Sequence, residues 1–128
     1  MIFDSDVPIW FLKGEPAAIE LLDSAAHRAI SIVTLMEIQQ GAKSKLEMKT
    51  TRALFQQRRF LILPLSESIG HIAAGLIEEY ALSCGLHMED ALIAATARET
   101  GETLATANVR HFRHIANLHL TPFRPRSR

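Results

Sequence analysis

The stretch Asp4-Ser5-Asp6 sets two carboxylates one residue apart, directly after the apolar run Met1-Ile2-Phe3. Two chemistries use such a start. In one, the first Asp attacks phosphorus and the second exchanges protons for it. In the other, an Asp at a strand tip is the first ligand of a hard divalent cation. Further along stand Glu37, Asp90 and Asn108, and no Lys or Arg adjoins Asp4, Glu37 or Asp90 in sequence. Unpaired carboxylates brought together repel by about 4 kcal/mol per pair roughly 4 Å apart at an effective dielectric near 20. If they converge they need a counter-charge, and Mg²⁺, which prefers carboxylate oxygen and water, is the natural one. Each residue also has a purely structural reading. Thr34 and Glu37 fit a capping box, and Asp90 in a first helical turn complements the helix dipole. Asn108 can cap a short helix after it, and Asp4 can cap entry into a first short helix.

The elements that must position these groups are readable from periodicity. Met1 to Phe3, Ala29 to Val33, Phe60 to Leu63 and Thr103 to Thr106 read as short buried strands, with His119 to Thr121 as a last edge strand before Pro122. Helical patterns cover Glu15 to Ala26, a segment starting at Thr34, Leu46 to Arg59, Ser66 to Cys84 and Met88 to Thr100. Val109 to Ile115 reads as a turn or short helix. The helix from Ser66 is the clearest, with Ile69, Ile72, Ala73, Leu76, Ile77 and Tyr80 on one stripe and Gly85 as its terminator. The Ala-rich segment after Met88 is apolar nearly all round, which marks a helix buried on most sides. Alternating strands and helices imply an α/β fold, a mostly parallel sheet of four to five strands between two helical layers. Sites in such folds gather outside the carboxyl ends of the strands. Asp4 and Asn108 come just after strands, while Glu37 and Asp90 are expected in first turns of helices.

A chain of 128 residues with 48% hydrophobic and 22% charged residues fits one globular domain, 1–128. The formal net charge is zero, so no global field points to a polyanion. Local basic zones exist at Lys43, Lys45, Lys49, Arg110 and Arg113, and residues from about 122 to 128 read as a loose basic tail. Cys84 is alone, which excludes a disulfide framework and a thiolate zinc site. With no signal-like leader and no apolar run of membrane-spanning length, the expected setting is the cytoplasm, away from membranes.

The ordered segments MIFDSDVPIW, SIVTLMEIQQGA and EDALIAATARETGETLATANVRHF resemble the motifs of the PIN-domain ribonucleases. The likeness is closest to the VapC-type toxins of type II toxin–antitoxin pairs. It covers nearly the whole chain and implies a three-layer PIN-like fold. It also implies metal-assisted hydrolysis of RNA, with Mg²⁺ or Mn²⁺ as cofactor, a small antitoxin partner and a homodimer. By this resemblance Asp4 stands at the family's first acid, Glu37 at the second and Asp90 at the third. Asp4 and Asp90 are then metal ligands, and Glu37 joins them directly or through water. Asn108 stands where many members carry a fourth acid. Ser5, Asp6 and Thr106 fit supporting positions that hold the site's loops or water. Ala107 replaces an Arg common in such toxins. Lys43, Lys45, Lys49, Arg110 and Arg113 are the candidates for bringing RNA to an acidic site.

Three other readings are compatible with the residues. A haloacid-dehalogenase-like phosphatase would use Asp4 as nucleophile, although such enzymes also carry a late Lys and an acid pair closing a strand. An inactive PIN-like domain could serve only to bind a partner, as Asn108 and Ala107 would allow. A zinc site at His111 and His114 lacks an obvious third ligand.

Overall fold

The structure is a computed structural model, and it describes residues 1–126. Five parallel strands form the sheet: β1 (Ile2–Phe3), β2 (Arg28–Ser31), β3 (Phe60–Leu63), β4 (Leu104–Thr106) and β5 (Leu120–Pro122). Their order across the sheet is β3-β2-β1-β4-β5. The chain thus builds outward from β1 to one edge, then returns to add β4 and β5 on the other side. That reversal makes the β1/β4 boundary the topological switch point, where ligands of open α/β sheets bind.

Helices α1 (Asp6–Leu12), α2 (Pro16–Ser24), α3 (Ile32–Gln40), α4 (Lys45–Gln57), α5 (Glu67–Cys84), α6 (Met88–Thr100) and α7 (Val109–Phe112) complete the fold. Strand residues alternate between two cores, as a period of two requires. Ile2, Ala29 and Leu104 face a core built with α5, α6 and α7. Phe3, Ile30 and Ala105 face a second core with α1, α2 and α4. Burial on both faces explains why the strands read as continuous apolar runs. The three layers expected from sequence are therefore present, with every strand parallel.

Local signals account for most boundaries. Ser66 caps α5 by accepting from the Ile69 N–H, and Ser44 caps α4 by accepting from Glu47. Gly85 and Gly101 close α5 and α6 at φ +69°, a conformation that disfavours any side chain. Side chains of α6 at Ala91, Ile93, Ala94, Ala95, Thr96 and Ala97 are all buried. Their small size lets α5 and the sheet approach it from two sides.

Three expectations need correction. Helix α3 begins at Ile32, two residues before Thr34, because the Ser31 hydroxyl at the end of β2 already accepts from the Val33 N–H. Glu37 consequently lies beyond the first turn, and no capping box with Thr34 forms. Second, the short helix expected after Asp4 is present from Asp6 to Leu12, but Ser5 and not Asp4 stands at its N-cap, and no side chain caps it. Third, residues 122–126 are not loose. Pro122 ends β5, Phe123 is buried in the second core, and its N–H donates to the Thr106 carbonyl at 2.8 Å. The Arg126 N–H donates to buried Glu15 at 2.7 Å, and its guanidinium grips Glu20 at 2.6 and 3.0 Å. The last two positions of the expected tail lie outside the described residues. Phe123→Ala should lower stability by about 3–4 kcal/mol through lost packing, read as an earlier urea midpoint; an unchanged midpoint would mean that this strap adds nothing to the fold.

Candidate active site

The parallel registers bring Asp4 and Thr106 to the same level. Ile2 pairs with Leu104 and Phe3 with Ala105, so the residues after these pairs sit side by side. The Asp4 N–H continues the ladder to the Ala105 carbonyl at 2.9 Å. Asp4 is buried at 6% exposure. Its Oδ1 accepts from the Ser5 N–H at 2.8 Å and its Oδ2 from the Thr106 hydroxyl at 2.7 Å. Thr106 in turn accepts from the Asn108 N–H at 2.9 Å. Asp6 Oδ2 accepts from the Ala107 N–H at 2.9 Å and lies 3.4 Å from the Thr106 hydroxyl. Thus Asp4 and Asp6 both lean on the end of β4 and its loop. The β1 and β4 loops, about one hundred residues apart in sequence, form one hydrogen-bonded rim.

Asp90 reaches the rim from α6. It is the third residue of that helix, and its Oδ2 accepts from the His87 N–H at 3.3 Å. Its structural role at a helix start and its place in an acidic cluster therefore coexist. The same Oδ2 lies 3.2 Å from His111 Nδ1, which is 2.7 Å from the Asn108 amide nitrogen. Sequence spacing marks His111 only as half of a zinc pair with His114. The structure instead ties it to Asp90 and Asn108, while His114 turns to Arg113 Nε at 3.3 Å. An i, i+3 comparison along the chain does not reveal a partner 21 residues away.

Glu37 lies within the field of the same acids. Burial pushes its carboxyl from 4.5 up to about 7, helped by repulsion from Asp4, Glu89, Asp90 and Asp6. Burial likewise raises Asp6 from 3.8 to about 6, with Asp4 the next cause. Asp4 is also raised, chiefly by burial, against the pull of its bonds to Thr106 and Ser5. Among the described residues none of Asp4, Asp6, Glu37 or Asp90 has a Lys or Arg ion-pair partner. Glu89, not singled out by spacing, belongs to the same negative field.

Two of these acids keep buried oxygens without a donor. Among the described residues Asp6 Oδ1 and Glu37 Oε1 make no hydrogen bond, as is also true of the Thr34 hydroxyl and Gln39 Oε1 on α3. Leaving such atoms dry costs roughly 1–3 kcal/mol each. Among the described residues no three His, Cys, Asp or Glu side chains already stand close enough to clasp an ion, and Ser5, Thr106, Ala107 and His111 take up part of the carboxylate lone pairs. The donor chemistry nevertheless fits a hard cation: all-oxygen, multiply anionic, with orphaned acceptors at hand.

The remaining site candidates divide. Ser5 acts on Asp4 through its backbone N–H. Arg110 and Arg113 lie on and just after α7, and Lys43 lies in the turn before α4. Lys45 and Lys49 lie on α4. Glu47 and Thr51 of α4 line a cleft of about 350 Å³ shared with Glu37. Lys45 and Lys49 are offset from them by two residues, about 200° around the helix, so they point away from it. Lys13, at the end of α1, lines this cleft and lies over the Trp10 ring at 5.2 Å. Sequence spacing misses it because nothing local shows that α1 extends so far.

Known proteins share this architecture. The PIN domain family model matches residues 1–118. The Mycobacterium tuberculosis protein named Ribonuclease VapC10 is 35% identical over 116 residues, 88% of this chain and 85% of that protein. A toxin–antitoxin complex from Klebsiella pneumoniae contains a chain 31% identical, with TM-score 0.80, covering 95% of this chain and 97% of that one. VapBC2 from Rickettsia felis, solved bound to a DNA fragment from its promoter, contains a chain 27% identical, with TM-score 0.80 and coverages of 97% and 100%. The dehalogenase-like alternative fails against these matches, and the buried, doubly bonded Asp4 carboxylate is poorly presented for attack. With the family model spanning residues 1–118 and a relative 35% identical over most of the chain, this protein is a member of the PIN-domain family.

Proposed function

We propose that this protein is a divalent-metal-dependent ribonuclease and the toxin of a toxin–antitoxin pair. One observation carries the reading. Four acids from three separate parts of the chain crowd the switch point without a Lys or Arg partner, and two of them keep a buried, donorless oxygen. VapC10, a relative across most of the chain, is named a ribonuclease. Asp4, Asp90 and Glu37 would hold Mg²⁺ or Mn²⁺, with Glu37 acting directly or through water. When bound, such an ion supplies an ionised water at neutral pH and offsets charge on the scissile phosphate. The chain's own residues do the rest. Thr106 and Ser5 fix the Asp4 carboxylate, and Asp6 locks the β4 loop against α1. Glu37 would orient the attacking water and accept its proton. Water adds to phosphorus as the bond to the leaving oxygen breaks, and that oxygen takes a proton.

An acidic centre repels phosphate, so cations at its margin must position the strand without reading it. Lys13 shares a cleft with Glu37, and Arg110 and Arg113 lie on and just after α7, which follows the β4 loop; these three are the working set. The apolar walls of that cleft, Ile9, Leu12 and Ile38, suit a base splayed from a single strand.

The same reading includes a small antitoxin and a homodimer. The Klebsiella pneumoniae neighbour comes from a toxin–antitoxin complex, and exposed Leu46 and Met48 on α4 and Leu82 on α5 are apolar surface available for such partners. Among the described residues no helix is long and apolar enough to cross a membrane. A binding-only module is the competing reading, favoured by the neutral Asn108, and a preparation inert with every divalent metal would select it.

Three outcomes test the proposal. Purified protein should cut single-stranded RNA with Mg²⁺ or Mn²⁺ and stop with chelator, while Asp4→Ala and Asp90→Asn should each lose at least about 100-fold in kcat/KM. Cleavage surviving both substitutions would reject the metal assignment. Lys13→Ala should raise KM several-fold with little change in kcat, whereas Lys45→Ala should change neither; the reverse pattern would place the RNA elsewhere. The third concerns pH. Asp6 and Glu37 have folded-state values above their unfolded ones, so their contribution is full below about pH 4. It is lost as pH rises through about 6 to 7. In metal-free protein at pH 8, Glu37→Gln should therefore raise Tm by about 2–5 °C. At about pH 4 the gain should vanish, and with saturating Mn²⁺ its sign should reverse.

A further inference from the structure

His111 is not among the acids, yet three groups from two separate segments, the start of α6 and the start of α7, meet at its ring. Nδ1 lies 3.2 Å from Asp90 Oδ2 on α6 and 2.7 Å from the Asn108 amide nitrogen before α7. The ring packs edge-on against His87, centroids 5.8 Å apart, and the His87 N–H donates to the same Asp90 Oδ2. Next to it, Phe112 is fully buried in the α5–α6 core and fixes the backbone from which the ring projects.

We infer that His111 is a positioning residue for the cation site, a crossbar that sets the Asp90 carboxylate and ties it to Asn108. This rests on the function proposed above. A carboxylate can only accept and an amide NH₂ can only donate. A bare Nδ1 therefore accepts from Asn108, whereas Nδ1–H donates to Asp90 and calls for the carbonyl end of the Asn108 amide. Only the second form links the two residues through one ring atom, because a bare Nδ1 would face Asp90 Oδ2 as one acceptor against another. Both polar contacts that Asp90 makes here, to the His87 N–H and to the ring, fall on Oδ2. Oδ1 accepts none among the described residues, so one oxygen is held and the other is left for a ligand. A carboxylate at the Asn108 position would repel Asp90 and could not anchor it. Here a neutral amide and a ring nitrogen do it by hydrogen bonding. Outer partners that orient a metal-ligating group typically account for about 10–100-fold in metal affinity.

The test is a titration of the full-length protein with Mn²⁺, free ion read by electron paramagnetic resonance, on wild type, His111→Ala, His111→Asn, His111→Gln and Asp90→Asn. Circular dichroism confirms folding of each. His111→Ala should weaken Mn²⁺ binding about 10–100-fold. The Asn side chain places an amide where Nδ1 stands, so His111→Asn should recover most of the loss. Gln places its amide where Nε2 stands and should not. Should His111→Ala not fold, the contrast between Asn and Gln still decides. Wild-type affinity in His111→Ala, or equal recovery by Asn and Gln, overturns the positioning role while leaving the metal site intact. Absence of Mn²⁺ binding by wild type, or undiminished binding by Asp90→Asn, overturns the metal site itself and this inference with it.

Discussion

Negative charge confined beside a parallel sheet is the constraint on which the rest of this molecule depends. Burial and mutual repulsion hold Asp6 and Glu37 far above ordinary carboxylate values. A fold selected for stability alone would place a Lys or Arg beside them or replace them. This one does neither. It surrounds the acids with neutral donors: the Ser5 and Ala107 amides and the Thr106 hydroxyl. Such donors fix the orientation of a carboxylate without cancelling its charge. The geometry is kept and the electrostatic demand is left for something from outside the chain.

The sheet makes this possible because strand order and register do the placing. β1 is only two residues long, but it is central, and hydrogen bonds on both edges pin it. Asp4 inherits that rigidity. The acids on α3 and α6 are carried by helices whose starts are set by Ser31 and His87, each just past a strand end or loop. The scatter of the acids across the sequence is therefore not a scatter in space. Each is within a few residues of the point where its element begins or ends.

Much of this is legible in the sequence, and the failures have physical causes. The two apolar periods separate strands from helices well, and β3 and α6 fall where expected because Pro64, Gly85 and Gly101 punctuate them. Asp4 and Asp90 stand out because acids at the ends of apolar runs are costly. The start of α3 is misplaced because Ser31 and Thr34 are equally good caps, and only the strand end at Ser31 decides between them. The extent of α1 is hidden because Pro8 interrupts its pattern, although proline is tolerated in a first turn. His111 and Lys13 are invisible for a different reason. Their partners, Asp90 and the Glu37 cleft, are brought near by tertiary folding, and no local spacing records that.

The strap after β5 has a bearing on the order of events during synthesis. The backbone of Thr106, the residue that holds Asp4, is itself held by the Phe123 N–H. A nascent chain that has emerged only as far as Gly101 already carries Asp4, Glu37 and Asp90 but has nothing to clasp the first of them. Pairing β1 with β4 closes a loop of about one hundred residues, the kind of long-range contact that forms late. A growing polypeptide thus carries Asp4, Glu37 and Asp90 without their geometry until the segments that hold Thr106 and Phe123 have been made.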